Sequence, residues 1–421
     1  MKKYPRLRPS PTLAINELSA QLAAEGRIIH RLGFGQSPFP PPAAVVEALC
    51  ENAWRRDYLS VQGLRELRER VAAFHRDRYE LEFTAADVMI GPGSKELIFL
   101  LQLVYEGELL LPSPSWVSYE PQARLLDLPV TWLPVTAANG WRLDADTLDR
   151  YCAAAPDRPR MLILNYPNNP AGTTLEKWRL EEIARVARDR KLLVVSDEIY
   201  GELHHHGRHV SIAKFYPEGT IVTGGLSKWC GAGGWRLGTM CVPPPLHGLL
   251  ELTCCAASET FSSVSAPVQY AAITAYSAGA EIDRYLNGAR RVLAAVGQWS
   301  AKELNEAGIP TAYPDGGFYL FPDFTPLGES LGVTLASELS RRMLVEAGVP
   351  LLPGENFGRD AAELTCRLAY VAFDGKTALD AAEQTAELNE AFVRRHCAGV
   401  TAGIEAMVHW AHHSEPAEVY P

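Results

Sequence analysis

The chemistry of this chain starts from one lysine set among glycines. In Thr223-Gly-Gly-Leu-Ser-Lys-Trp-Cys-Gly-Ala-Gly-Gly-Trp-Arg-Leu-Gly238, glycine fills six of sixteen positions, Lys228 follows Ser227, and Arg236 lies beyond a Gly-Ala-Gly-Gly turn. A lysine amine attacks carbonyl carbon, and glycines allow close approaches that a Cβ would block. Such a loop suits a lysine that must meet a flat, phosphorylated ligand. Taken alone, the stretch reads equally well as a solvated glycine loop with two incidental cations. Groups elsewhere have to decide, and four stretches offer them: Asn169 in Asn168-Asn-Pro-Ala-Gly172, Asp197 and Tyr200 in Ser196-Asp-Glu-Ile-Tyr200, Gly93-Ser94-Lys95, and Trp116.

The elements that would position these residues follow an alternating rhythm. Met161–Asn165, Leu192–Asp197 and Thr220–Thr223 are apolar strand patterns, and a helical pattern over 175–190 turns Trp178, Ile183 and Val186 inward. Strands apolar on both faces and separated by helices predict a buried, mostly parallel sheet with helices on each side. Ligands of such sheets bind at the carboxyl ends of the strands, where Asn169, Asp197 and Lys228 all fall. Val88–Gly93 reads as another strand, with Ser94 opening a helix. Free N–H groups and the helix dipole make that a site for an anion, although an ordinary serine N-cap is far commoner. Trp116 ends the strand-like run from Leu109 and is either core or a stacking surface.

Before this region, residues 11–25 read as a short amphipathic helix on Leu13, Leu18 and Leu22. The Gly/Pro-rich Leu32–Pro42 breaks regular structure, and Tyr58 precedes a helix with Leu64, Leu67, Val71 and Phe74 on one face. After 280 a long amphipathic helix leads into an α+β pattern. Strands are expected at Gly316–Pro322 and Cys366–Phe373, one helix near 334–347 and a final one from Lys376. The predicted fold is therefore a three-layer α/β/α large domain plus a smaller α+β domain. The expected division is an N-terminal arm with part of the small domain over 1–45, a large domain over 46–289 and a small domain over 290–421.

Bulk properties narrow the function. The 421 residues carry a net charge of −10 and no basic block, which argues against a nucleic-acid partner. Eight cysteines without Cys-x-x-Cys spacing fit reduced thiols better than disulfides or a zinc site. His204-His205-His206 with His209 reads as an exposed polar turn rather than a metal site, so no metal is expected. The start, Met1 to Arg6, has no apolar run of signal-peptide type, and no stretch approaches bilayer-spanning length. The expectation is a cytoplasmic protein without a membrane partner.

Lysine, aspartate, asparagine, tyrosine, indole, helix-start serine and arginine together match the needs of pyridoxal 5'-phosphate. That cofactor is an aldehyde that condenses with a lysine, and it wants a carboxylate on its ring nitrogen, donors for its phosphate and an aromatic surface. With these motifs in this order, the chain resembles the class I/II aminotransferases, fold type I pyridoxal-phosphate enzymes, from about residue 12 to 395. The resemblance implies that Lys228 is the Schiff-base lysine and proton shuttle, that Asp197 pairs with the ring nitrogen, and that Tyr200 and Asn169 bond the phenolate oxygen. Gly93, Ser94, Lys95, Ser227 and Arg236 would hold the phosphate and Trp116 would stack on the ring. Gly35, Asn169 and Arg367 would bind the substrate carboxylate. Tyr58 would reach the cofactor of the partner subunit in a homodimer.

The implied reaction moves an amino group between an L-amino acid and a 2-oxo acid by a ping-pong mechanism. Three positions depart from the family pattern: Gly225 stands where a phosphate-binding serine is usual, Ala171 replaces threonine and Ser37 replaces proline. The alternative is a repurposed enzyme of the same fold, catalysing β/γ-elimination or replacement, C–C bond formation or amine oxidation. A transcription regulator with an aminotransferase-like sensor domain disagrees with the acidic charge and with motifs that begin by residue 35.

Overall fold

Short apolar segments dictate the centre of the molecule. In the computed structural model, which describes residues 11–414 apart from 278, strands β1 (Val88–Gly91), β2 (Glu108–Ser113), β3 (Val130–Pro134), β4 (Arg160–Asn165), β5 (Leu193–Asp197), β6 (Thr220–Gly225) and β7 (Gly238–Cys241) form one sheet. Its order is β1-β7-β6-β5-β4-β2-β3. Every residue of β2, β4 and β5 is buried, as expected for strands covered by helices on both faces. β2 through β6 run parallel, whereas β7 lies antiparallel to both β6 and β1. β6 and β7 thus form a hairpin, and its long glycine-rich connection carries Lys228.

Helix Lys177–Asp189 buries Leu180, Ile183, Ala184, Val186 and Ala187, but Trp178 is 51% exposed, contrary to the inward position expected from its sequence. The residue lies five positions from Ile183, about 140° round the helix, and its ring lies against the Arg179 guanidinium instead. Near the N-terminus, helix Pro11–Ala24 buries Leu22 and leaves Leu18 exposed, while the side chain of Leu13 lies outside the described residues.

The second sheet has three short strands, β8 (Tyr319–Leu320), β9 (Leu352–Pro353) and β10 (Cys366–Ala369), ordered β8-β10-β9 and all antiparallel. The strand expected over Gly316–Pro322 shrinks to two residues, and that over Cys366–Phe373 to four. Gly316 and Gly317 instead turn under the large sheet, where the Gly317 amide donates to the Leu203 carbonyl. Helix Gly375–Glu383 is not the last: Glu390–His396 and Ala398–His413 follow. The final helix packs Val400, Ile404 and Met407 into the core shared with helix Ala280–Glu306. That 27-residue helix runs through residue 290 without a break. The chain therefore has a three-layer α/β/α unit and a smaller α+β unit, with the N-terminal segment joined to the latter where the His30 amide donates to the Gly348 carbonyl.

Candidate active site

The strand register brings the chemistry together. β4, β5 and β6 are parallel neighbours, with Asn165 opposite Asp197 and Asp197 opposite Thr223. The groups at and beyond the ends of these strands (Asn169, Asp197 and Tyr200, Lys228) therefore meet at the carboxyl ends of the central strands, in a cleft of about 500 Å³. Asn169, Asp197, Tyr200, Lys228, Ser94, Lys95, Trp116, Ser227, Arg236, Gly35 and Arg367 all line it. Gly93 lies directly behind Arg236. Tyr58 does not reach the cleft and is 92% exposed in the single chain.

Asp197 sits at the floor. It is fully buried, accepts from the Tyr119 hydroxyl at 2.6 Å and from Thr223 Oγ1 at 3.3 Å, and burial pushes its pKa up to about 6 despite those hydrogen bonds. The Asn165 side chain donates to the Asp197 carbonyl at 2.7 Å and accepts from the Asn169 amide at 2.9 Å, locking two strand ends together. Tyr119, Asn165 and Thr223 were not singled out from sequence. Each lies in a segment the sequence does mark: Tyr119 three residues after Trp116, Asn165 at the end of the Met161–Asn165 strand and Thr223 at the start of the lysine stretch.

Lys228 Nζ donates to the carbonyl of Gly35 at 2.7 Å. Arg367 is fully buried among the rings of Tyr319 and Phe357, its Nη2 on the Gly33 carbonyl at 2.9 Å and its Nη1 on Asn169 Oδ1 at 3.3 Å. Its Nε has no hydrogen-bond partner among the described residues. A buried guanidinium with spare donors calls for a carboxylate.

On the other side, helix Ser94–Val104 presents its N-terminus to the cleft behind Gly93, which has φ +96°. A Cβ at Gly93 would lie 2.2 Å from Arg236 Nη2, and one at Gly238 would lie 2.3 Å from Gly93 C and Ser94 N. Bare backbones thus press the helix start against the lysine hairpin. Gly225 belongs to the same contact: at φ +151°, a Cβ there would sit 2.6 Å from the Leu237 carbonyl oxygen. The missing serine follows from this tight β6–β7 crossing and need not signal a different reaction. Lys95 Nζ stands 5.1 Å from the Trp116 ring centroid, and its pKa is lowered by burial and by the nearby Arg236 and Lys228 charges.

Lys95, Lys228, Arg236 and Arg367 thus face a cleft whose floor holds one carboxylate. This donor set fits pyridoxal phosphate: cations and helix amides for a phosphate, an indole for a ring, a buried acid for a protonated ring nitrogen and an amine for an aldehyde.

Of the histidines behind Tyr200, only His206 lies in the exposed turn expected of them. His204 and His205 are buried, with His205 Nε2 beside the Gly317 carbonyl at 3.2 Å, and His209 pairs with the buried Glu198 at 2.9 Å. Among the described residues no cluster of His, Cys, Asp or Glu is placed to hold a metal ion. No described helix is long and apolar enough to cross a membrane.

A parallel-centred α/β/α sheet with this cleft at the carboxyl ends of its central strands defines a fold type I pyridoxal-phosphate enzyme. Comparison with known proteins narrows the class. Residues 27–381 match the family aminotransferase class I and II. The chain is 30% identical to an aspartate aminotransferase of Bacillus sp. (strain YM-2) over 92% of this chain and 97% of that one. It is 32% identical to that of Geobacillus stearothermophilus over 92% and 96%. The solved structure of Thermus thermophilus aspartate aminotransferase with maleate superposes with a TM-score of 0.80 at 28% identity, covering 90% of this chain and 96% of that one. The chain belongs to the class I and II aminotransferases, and it is a pyridoxal-phosphate-dependent transferase of amino groups between amino and 2-oxo acids. Nothing in these similarities favours a diverted reaction.

Proposed function

We propose that the enzyme takes aspartate as amino donor and that the cleft residues divide the work as follows. The carrying observation is the convergence of Lys228, Asp197, Asn169, Arg236 and Arg367 on one cleft. The dicarboxylate preference rests on relatives named aspartate aminotransferase and on a maleate-bound neighbour.

Bound pyridoxal phosphate supplies an aldehyde that exchanges amines and a ring that draws electrons from the substrate Cα. Arg367, with Asn169 and the Gly35 segment, orients the α-carboxylate so that the Cα–H bond faces Lys228. Lys228 Nζ would take that proton as general base, a transfer worth roughly 10²–10⁴-fold. Asp197 keeps the ring nitrogen protonated, while Tyr200 and Asn169 donate toward the ring oxygen. Gly93, Ser94, Lys95, Ser227 and Arg236 hold the phosphate, and Trp116 covers the ring.

Tyr58 completes the phosphate site of a second copy in a homodimer. Its 92% exposure, next to a 70%-exposed Trp54, supports that placement. The domains divide at 45 and 289, with helix Ala280–Glu306 as the connecting rod. Eight free cysteines accord with a cytoplasmic setting.

Lys228→Ala tests the central assignment. Turnover with aspartate and a 2-oxo acid should vanish together with the visible absorbance of the lysine-linked cofactor, and wild-type rates in that variant would refute it. A donor panel tests the substrate: activity confined to apolar amino acids would overturn the aspartate reading and leave the lysine assignment intact.

A further inference from the structure

Tyr319 touches three parts of this machinery: Tyr200, the Gly35 segment and Arg367. Its ring is 2% exposed, and its hydroxyl lies 3.0 Å from that of Tyr200, the rings meeting edge to face at 5.6 Å. The same hydroxyl is 3.4 Å from the Gly35 carbonyl oxygen, which already accepts Lys228 Nζ at 2.7 Å. The Arg367 guanidinium sits 4.8 Å from the ring centroid. Gly35 is shaped to this neighbour, since a Cβ there would lie 2.0 Å from the Tyr319 hydroxyl oxygen.

A phenol has one proton to donate. Of its two acceptors the Tyr200 oxygen at 3.0 Å is nearer than the Gly35 carbonyl at 3.4 Å, and the Tyr319 proton goes to Tyr200. Tyr200 then accepts through a lone pair and keeps its own proton free to be given into the cleft. A hydroxyl that accepts while donating is also a stronger donor, because hydrogen bonds in a chain polarise one another.

We infer that Tyr319 is a positioning residue for the transamination: its hydroxyl donates to the Tyr200 oxygen, which fixes the Tyr200 phenol and strengthens the proton that Tyr200 offers into the cleft. This rests on the roles proposed above for Tyr200 and Lys228. The burial that raises the pKa of Tyr200, reinforced by the Tyr319 contact, keeps the Tyr200 phenol protonated.

Tyr319→Phe removes the hydroxyl and keeps the ring. The measurement is the pH titration of the visible band of the bound cofactor in the holoenzyme, for wild type, Tyr319→Phe, Tyr200→Phe and the double variant. Weakening the Tyr200 donor should move the midpoint upward by roughly half a pH unit in Tyr319→Phe. The shift in Tyr200→Phe should be larger, and the double variant should show no more than that, since Tyr319 acts through Tyr200. The rate constant kcat should fall roughly fivefold with KM for aspartate little changed. If Tyr200→Phe shifts the midpoint and Tyr319→Phe titrates like wild type, the inference is overturned even if the melting temperature falls, and the Tyr200 assignment stands. If Tyr200→Phe leaves the midpoint unmoved, that assignment fails and takes the inference with it.

Discussion

Replacing Asp197 by asparagine should make the cofactor-free protein more stable and the holoenzyme nearly inactive. In the cofactor-free chain, burial raises the carboxyl pKa from 3.8 to about 6. A carboxyl that holds its proton more tightly folded than unfolded stabilises the fold below its unfolded pKa, and that stability is lost as pH rises through the folded value. The span from 3.8 to about 6 corresponds to a loss of about 3 kcal/mol complete by pH 8. Asparagine never ionises and can still accept from Tyr119. Its amide nitrogen would face the Ile199 N–H, a 3.4 Å hydrogen bond to the present carboxylate, at a cost of about 1 kcal/mol. The net expectation is a gain of about 2 kcal/mol at pH 8, shrinking below about 1 kcal/mol by pH 5. Urea unfolding of the two cofactor-free proteins at both pH values measures it. Activity at pH 8 should fall on the order of a hundredfold in the variant. An asparagine variant no more stable than wild type at pH 8, or with a gain that ignores pH, would refute the reasoning.

Three further outcomes are expected. Gly225→Ser should lower stability by roughly 1–3 kcal/mol, because its Cβ meets the Leu237 carbonyl and the residue must hold φ +151°; thermal denaturation and cofactor affinity should both report the loss. Arg367→Lys cannot make a bidentate pair and should cost roughly 2–3 kcal/mol, or about 30- to 150-fold in kcat/KM for aspartate, mostly through KM. His205, with its pKa lowered by burial to about 4, contributes stability that is present above pH 6.5 and is lost as pH falls through 4. His205→Gln should therefore flatten the acid limb of the stability profile by up to about 3 kcal/mol, and an unchanged limb would remove His205 as its source.

The central strands were readable because β4 and β5 are apolar on both faces, a pattern that only a covered sheet satisfies. Once those strands were placed, parallel pairing alone put Asn169, Asp197 and Lys228 together at the carboxyl ends of the strands. Residues defined by distant partners were opaque. Tyr119 meets Asp197 from 78 positions away, and Tyr319 meets Gly35 from 284; no local pattern encodes such pairs. His204 and His205 misled because polar residues in a turn imply solvent, whereas here Gly316 and Gly317 pack over them. Gly225 misled in the opposite sense. Compared with a functional motif it looks like a lost hydroxyl, but its identity answers to the backbone of the neighbouring strand.

The four cations facing one buried carboxylate have a consequence for the life of the protein in the cell. With the roles proposed above, a newly made chain would carry both kinds of unmatched charge until pyridoxal phosphate arrives, and that one molecule would answer both, bringing an anion for Lys95 and Arg236 and a protonated ring for Asp197. Binding at a hundred times the dissociation constant adds about 2.7 kcal/mol to folded stability. The chain's lifetime against proteolysis should then follow vitamin supply, so that a cell short of the cofactor loses the enzyme itself as well as its turnover.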